Sequence, residues 1–361
     1  HRRESARVAR QIVAHRGSET EFELATIERL YRQGVGSCRA IPARRRARRL
    51  WRRRTGPMRD YPIIDTHTHT FPTREVGRQA IQALPHQGAS GIVEDLLPDL
   101  AAAGFARAVM LNFTPTGEMR EESLARGAKG TAPARWGALE EQVRQSIVGR
   151  VQRRNAWTLQ VAREHARLVP FIGIDPRMGE DGMLAELETC VRAGARGIKF
   201  HCSTQRSYPT DTGLWAVYGR AEELGLPVVF HSGWHPLGCH LSDYSRPARF
   251  AGIAENFPRL PVVLAHIGLG WQEEAVALAH TYPNVYFDTC LVITGTWNPP
   301  PLSDDEIVSL LRLVGLDRVM FASDWPLCVP LKERQRAESL PLSDTERRLL
   351  FYENAQRILR I

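Results

Sequence analysis

The sequence predicts a (β/α)8 TIM barrel, and three observations lead to this prediction. Beyond residue 60, eight short apolar runs alternate with amphipathic stretches over about 300 residues. Most of these runs are continuously apolar, as expected for parallel strands that are covered on both faces. Several of the amphipathic stretches end at a glycine, which is typical of a helix C-terminus. A doubly wound sheet is the alternative architecture.

The apolar runs give the predicted strands, which are Ile63–His67, Ala106–Asn112, Leu168–Ile174, Gly197–His201, Pro227–His231, Pro261–His266, Val285–Asp288 and Arg318–Ala322. The predicted helices between and after them are Gly91–Ala103, Gly179–Ala193, Thr212–Leu224, Ser245–Asn256, Gln272–Tyr282, Ser303–Val314 and Ser343–Leu359. The last two open with a serine that is followed three residues later by a glutamate, the pattern of a helix-capping box.

One connection is much longer than an ordinary link between a strand and a helix, namely Thr114–Arg167 after the second strand. Its first half, Pro115–Trp136, is rich in Gly, Ala and charged residues and is predicted to be a loop. Its second half, Ala138–Arg167, is predicted to be a long helix. Because the insertion leaves from the rim where barrels place their active sites, we expect it to form a lid or wall of a pocket.

The basic charge of the chain is concentrated at one end. Residues 1–60 hold 17 arginines against 6 acidic residues, a balance of +11, which leaves −3 for the rest of a chain with net charge +8. We interpret residues 1–57 as a poorly ordered or non-native basic extension, and residues 58–361 as the barrel. A tail that binds nucleic acid or an anionic membrane is the alternative, although neither is the expected partner.

Composition also bears on location. The sequence has neither a run of eighteen apolar residues nor an apolar leader, so neither a membrane span nor secretion is expected. The six cysteines are scattered and form no C-x-x-C pair. We interpret them as reduced thiols of a cytoplasmic protein.

Polar residues gather at the carboxyl ends of the predicted strands, which is where a barrel places its reacting groups. In chain order they are His67, His69, Lys199, His201, His231, His266 and Asp324. His67 and His69 are two positions apart, so on an extended strand their side chains point to the same side. A lone strand-end histidine is usually a satisfied polar residue, but so many converging polar groups are hard to explain by packing.

Imidazole nitrogens and a carboxylate such as Asp324 form a donor set suited to a divalent metal ion with one position open to water. Water bound there would lose its proton near neutral pH and become a nucleophile. We expect zinc, with manganese or iron as alternatives, and one ion rather than two.

Six segments at the strand ends and the C-terminus carry a family resemblance. They are Asp65-Thr66-His67-Thr68-His69, Gly197-Ile198-Lys199-Phe200-His201, Val229-Phe230-His231-Ser232-Gly233, Leu264-Ala265-His266-Ile267-Gly268, Phe321-Ala322-Ser323-Asp324-Trp325-Pro326 and Tyr352-Glu353-Asn354-Ala355-Gln356-Arg357-Ile358-Leu359. From Tyr61 to Ile361 the chain resembles the amidohydrolase superfamily. Within it, the chain is similar to the amidohydrolase-related group, which includes aminocarboxymuconate-semialdehyde decarboxylase and related metal-dependent hydrolases.

The resemblance implies that His67, His69, His231 and Asp324 are metal ligands. It further implies that His266 acts as acid or base on bound water or substrate, or, as in two-metal relatives, as a ligand of a second ion. Asp324 would also shuttle a proton. Hydrolysis of an amide, ester or lactone by metal-bound hydroxide is the first expectation. The alternative is non-oxidative decarboxylation of an unsaturated or aromatic acid, because the same ligands serve both reactions.

Other residues are candidates for substrate contact. Lys199 has three interpretations: a carboxylated lysine that bridges two ions, a cation that holds a substrate carboxylate, or a core-edge lysine paired to a neighbour. His201 is interpreted as a pocket-lining residue. Trp234 and Trp325 follow strands 5 and 8, where they either contact substrate or pack at the rim.

The expected partner is a small molecule, for which a carboxylic acid is one candidate. Barrels of this kind often pair, so a homodimer is one expected assembly. An interpretation from a different class is a binding or scaffold protein that uses the basic tail, against which the intact ligand set counts.

Overall fold

The computed structural model describes residues 61–81, 90–129, 131–235, 239–295 and 301–361, so the predictions for residues 1–57 lie outside the described residues. Within these ranges, eight parallel strands form one sheet in chain order. The strands are β1 (Ile64–Thr68), β2 (Arg107–Leu111), β3 (Leu168–Gly173), β4 (Gly197–Phe200), β5 (Val228–Phe230), β6 (Val262–Leu264), β7 (Val285–Asp288) and β8 (Val319–Met320). The predicted TIM barrel is confirmed.

The ring of strands closes between its first and last members. Each strand from β1 to β7 pairs in parallel with the next one. The N–H of Thr66 in β1 then donates to the carbonyl of Phe321, which follows β8, at 3.1 Å. Further along the same seam, the N–H of Asp324 donates to the carbonyl of His67 at 2.9 Å. Two of the residues selected from the sequence therefore take part in closing the barrel.

Helices alternate with the strands and cover the outside of the barrel. They are α1 (Arg74–Ile81), α2 (Val93–Ala102), α3 (Thr116–Ala128), α4 (Trp136–Glu164), α5 (Glu180–Arg192), α6 (Cys202–Gln205), α7 (Trp215–Leu224), α8 (Cys239–Ser242), α9 (Ala251–Asn256), α10 (Gln272–Thr281), α11 (Asp304–Val314), α12 (Pro330–Ser339), α13 (Asp344–Arg348) and α14 (Asn354–Leu359). The predicted capping boxes at Ser303 and Ser343 are both present. A π-helical turn, Leu349–Glu353, interrupts the predicted last helix.

The insertion after β2 corrects one prediction. Pro115–Trp136 was expected to be a loop, but most of it is the helix α3. Contacts from outside stabilise this helix, because Arg206 pairs with Glu118 and Glu121 at 3.1 Å each. Sequence predicts a helix from apolar residues at helical spacing. Charged partners from a distant segment leave no such pattern in the sequence. The second half of the insertion forms the predicted long helix, α4.

The barrel interior is apolar at one end and polar at the other. Ile64, Val229 and Val263 belong to an inner cluster on which Ile358 of the C-terminal helix packs. His231 lies two residues beyond Val229, so its side chain points to the same interior one layer nearer the carboxyl rim. The apolar layers therefore fill the amino end of the barrel and leave the histidines at the opposite end.

Two further expectations concern cysteines and membranes. Four cysteines in the described chain are buried free thiols, Cys190, Cys202, Cys290 and Cys328. Among the described helices, none is both long and apolar enough to cross a lipid bilayer.

Candidate metal centre

Three of the predicted ligands converge at the rim. The Nε2 atoms of His67 and His69 lie 3.1 Å apart. Oδ1 of Asp324 lies 3.6 Å from the first of these nitrogens and 3.3 Å from the second. All three side chains are buried, and their donor atoms are close enough together to hold one metal ion.

The hydrogen bonds of the two histidines leave both Nε2 atoms available as ligands. Nδ1 of His67 lies 2.8 Å from a carboxylate oxygen of Asp288. Nδ1 of His69 lies 2.9 Å from the carbonyl oxygen of Leu111. Because neither oxygen can donate, each Nδ1 carries the proton and each Nε2 carries a lone pair. An outer acceptor that fixes the ring in this way is typical of metal-binding histidines.

These donors fit a cation and little else. Two imidazole lone pairs and a carboxylate oxygen point at a common position, and Asp324 Oδ1 has no hydrogen-bond partner within the described chain. Buried acceptors that face one another without a donor repel, so the arrangement is stable only around a positive charge. Nitrogen and oxygen donors suit zinc, manganese and iron.

Burial keeps His67 neutral. Burial and the nearby Lys199 ammonium lower the pKa of His67 to about 3. Burial of Asp324 would by itself raise its pKa, but His67 and His69 outweigh this effect and hold the pKa below its usual range. A neutral imidazole beside an ionised carboxylate is the protonation state that a metal ion requires of its ligands.

The backbone at two candidate residues is strained. His266 has φ 62° and Asp324 has φ 61°. Residues other than glycine rarely adopt this left-handed region. Such residues cost about 1–3 kcal/mol each and persist where their surroundings hold them. Here Asp288 Oδ1 accepts the N–H of His266 at 2.9 Å, and the carbonyl of His67 accepts the N–H of Asp324 at 2.9 Å.

His231, the fourth predicted ligand, lies beside this cluster rather than within it. Its Nδ1 is 3.1 Å from Nε2 of His266, and its ring stacks on His201 with centroids 4.0 Å apart. Its Nε2 is buried and has no hydrogen-bond partner among the described residues. Burial and His201 lower the pKa of His231 well below its usual value. With Nε2 as a lone-pair donor, Nδ1 of His231 carries the ring proton and donates to Nε2 of His266.

The predicted pocket residues separate into two groups. Lys199 and His201 line a small pocket beside the cluster, together with Phe113, Thr116, Val151 and Gln205. Thr116 and Val151 come from the insertion, which therefore forms a wall of this pocket. Trp325 is 1% exposed and its Nε1 donates to Asp99 at 2.9 Å, contacts that favour packing over substrate contact. Trp234 is half-buried, and its backbone N–H donates to the carbonyl of Leu269 at 2.7 Å.

Sequence reasoning missed Asp288 and Cys290. Asp288 ends β7 and joins two histidines, because one carboxylate oxygen meets Nδ1 of His67 and the other accepts the N–H of His266. The Cys290 thiol lies 2.8 Å from Asp288 Oδ1 and 2.8 Å from Nδ1 of His266. The signal for Asp288 was present, since it is a charged residue at the carboxyl end of a predicted strand.

Replacing Asp288 with asparagine is expected to weaken metal binding by about 10–100-fold, the usual cost of losing an outer partner of a metal ligand. The amide can present its NH2 group to His67 and thereby favour the wrong tautomer. Titration of the metal-free protein with Mn²⁺ would measure the change. Asp317→Asn, a carboxylate remote from the rim, is the control, and equal affinities in the wild type and Asp288→Asn would contradict the assigned role.

The fold and the polar cluster at its carboxyl rim are those of a TIM-barrel enzyme. A family model described as Amidohydrolase matches residues 64–361, and the chain belongs to this family. The family resemblance seen in the sequence is therefore confirmed. A comparison with curated proteins gave no match.

Solved structures share the fold at low sequence identity. An uncharacterized TIM-barrel protein from Bordetella bronchiseptica matches with TM-score 0.62 and 18% identity, over 83% of this chain and 99% of that one. A 5-carboxyvanillate decarboxylase from Novosphingobium aromaticivorans, complexed with manganese and 4-hydroxy-3-methoxy-5-nitrobenzoic acid, matches with TM-score 0.62 and 15% identity, over 84% and 97%. A 2,6-dihydroxybenzoate decarboxylase from Rhizobium matches with TM-score 0.59 and 15% identity, over 83% and 98%.

Proposed function

We propose that this protein is a metal-dependent decarboxylase of an aromatic or unsaturated carboxylic acid. His67, His69 and Asp324 hold the ion, with His231 as a further ligand. The observation that carries the proposal is the buried ammonium of Lys199 in the pocket. Structural similarity to decarboxylases of two aromatic acids supports the same reaction class.

Lys199 is 1% exposed, and its Nζ has no hydrogen-bond partner among the described residues. Of the three interpretations of this lysine, pairing to a neighbour therefore receives no support. Burial lowers the pKa of Lys199, while the charges of Asp288 and Asp324 oppose the shift. An ammonium without a direct partner is costly to bury unless an anion joins it. A substrate carboxylate would supply that anion.

The ion, when bound, draws electron density from the oxygen atoms of the substrate. Lys199 orients the carboxylate, and Phe113 and Val151 form an apolar wall of the pocket. The bond between the carboxylate and the adjacent carbon breaks, CO2 leaves, and the electron pair stays on that carbon. We assign His266 as the acid that returns a proton to the carbon, because its ring lies against the rings of both His67 and His231. A proton from solvent then restores His266.

Hydrolysis, the first expectation from the sequence, becomes the second candidate. The carboxylate of Asp324 favours it, because a carboxylate that faces the proposed metal position could also accept a proton from water. In that case Lys199 would hold a carboxylate next to the amide, ester or lactone group that is cleaved.

An assay in ¹⁸O-labelled water separates the two reactions. Mn²⁺-loaded protein is supplied with a panel of hydroxybenzoates and muconate-type acids and, separately, with lactones and amides of such acids. Decarboxylation predicts CO2 release and an organic product without ¹⁸O. Products that carry ¹⁸O, formed without CO2, would overturn the proposal in favour of hydrolysis.

A further inference from the structure

Arg154 is the one buried arginine in the part of the chain that the structure describes, with 7% of its surface exposed. It lies on α4, the long helix of the insertion. Its Nη2 donates to the carbonyl of Thr70 at 2.6 Å. The guanidinium carbon lies 5.2 Å from the ring centre of Phe71 and 5.0 Å from that of Trp157. Its Nη1 has no hydrogen-bond partner among the described residues.

Arg154 has no carboxylate partner among the described residues, whereas two other arginines beside the insertion have one. Arg177 pairs with Asp175 at 3.0 Å, and Arg206 pairs with Glu118 at 3.1 Å. Both are more exposed than Arg154. Burial of a guanidinium costs on the order of several kcal/mol, and only a well-placed anion offsets this cost. The most buried of these cations is thus the one whose compensation is missing within the described residues.

The internal segments outside the described residues cannot supply this anion from their own side chains. Residues 82–89, 130, 236–238 and 296–300 contain neither aspartate nor glutamate. Burial and the charge of Arg150 lower the pKa of Arg154 to about 9, so the group remains a cation at neutral pH. An anion from outside the barrel domain is therefore the fitting partner.

The position of Arg154 connects it with the metal centre. Its acceptor, Thr70, directly follows His69, a proposed ligand. Val151, one turn earlier on α4, lines the pocket that also contains Lys199. Arg154 therefore approaches the rim from β1 and the insertion, whereas Lys199 approaches from β4. The two cations come from different elements, the helix α4 and the strand β4, which suits a substrate with two acidic groups.

The contacts of the guanidinium leave a specific set of donors. Aromatic rings of Phe71 and Trp157 pack against it, and the carbonyl of Thr70 occupies one nitrogen. The remaining N–H groups lie in the guanidinium plane, where they match the planar oxygens of a carboxylate. We propose that Arg154 binds a second carboxylate of the substrate, which would make the substrate an aromatic or unsaturated dicarboxylic acid. This inference rests on the proposed function and narrows its substrate class.

Binding of benzoate and its three dicarboxylate counterparts (phthalate, isophthalate and terephthalate) to Mn²⁺-loaded protein tests the proposal by calorimetry. The wild type is expected to bind one dicarboxylate about 10–100-fold more tightly than benzoate, the range of a charged hydrogen bond. Arg154→Met is expected to reduce this ratio to near one. No dicarboxylate preference in the wild type, or an undiminished preference in Arg154→Met, would overturn it.

Two further variants separate recognition from folding. Arg153→Met removes the same charge from an exposed neighbour on α4 and is expected to keep the wild-type ratio. Arg154→Lys keeps the charge but loses the planar fork, so its ratio is expected to fall several-fold even if Arg154→Met does not fold; an unchanged ratio in Arg154→Lys contradicts the proposal. Products that carry ¹⁸O, formed without CO2 while the dicarboxylate preference still depends on Arg154, would refute decarboxylation and leave this inference standing.

Discussion

His67→Ala is expected to abolish metal binding and activity together. His67 contributes Nε2 to the cluster with His69 and Asp324, and its ring is held by Asp288. Loss of an outer partner alone costs about 10–100-fold in metal affinity, and loss of a ligand is expected to cost more. Elemental analysis after dialysis should find about one ion per wild-type chain and almost none in the variant, if the cluster is a single-ion site.

His280→Ala is the matched control for this variant. Nε2 of His280 lies 2.9 Å from the carbonyl of Leu313, remote from the rim, so its replacement should leave the metal content unchanged. Thermal unfolding of both variants would show whether either substitution disturbs the barrel. Wild-type metal content in a folded His67→Ala protein would refute the assignment of the centre.

Lys199→Met is expected to lower kcat/KM for the acid substrate by about 100-fold, because a charged hydrogen bond contributes about 1.5–3 kcal/mol. Methionine has a similar length and is apolar, so the buried site should accept it. The metal content should remain at the wild-type value. Steady-state kinetics and elemental analysis on the same preparations would measure both quantities.

The outcome also decides between the remaining interpretations of Lys199. A fall in metal content from two ions to one or none would identify a carboxylated lysine that bridges ions. Lys332→Met, which replaces an exposed lysine on α12, controls for the general loss of a positive charge. Unchanged kinetics and metal content in Lys199→Met would show that this lysine takes part in neither substrate binding nor metal binding.

Much of the fold could be predicted because each strand is encoded locally. A continuous apolar run such as Leu168–Gly173 is buried on both faces, and its pattern needs no knowledge of its neighbours. The helix α3 could not be predicted in this way. Its partners Arg206 and Glu140 come from other segments, and sequence shows neither their proximity nor their geometry.

The same distinction applies to the candidate site. The positions of His67, His69 and Asp324 follow from counting residues along strands, because carboxyl strand ends share one rim. The link between Asp288 and His67 depends on which side chain turns toward which ring, and strand order alone does not determine this. Arg154 was missed for a related reason, since it lies inside a helix among many arginines and only its burial distinguishes it.

The seam between β1 and β8 has a consequence for the whole domain. Asp65 accepts a hydrogen bond from the Ser323 hydroxyl at 2.6 Å across 258 positions of sequence. Immediately beyond this bond, His67 and Asp324 face the same proposed ion from the two ends of that span. An ion shared by them would act as a cross-link that closes a very long loop, and such cross-links restrict the unfolded chain strongly. Removal of the ion by a chelator is then expected to open the barrel first at the seam between β1 and β8. Faster amide hydrogen exchange along these two strands would reveal the opening.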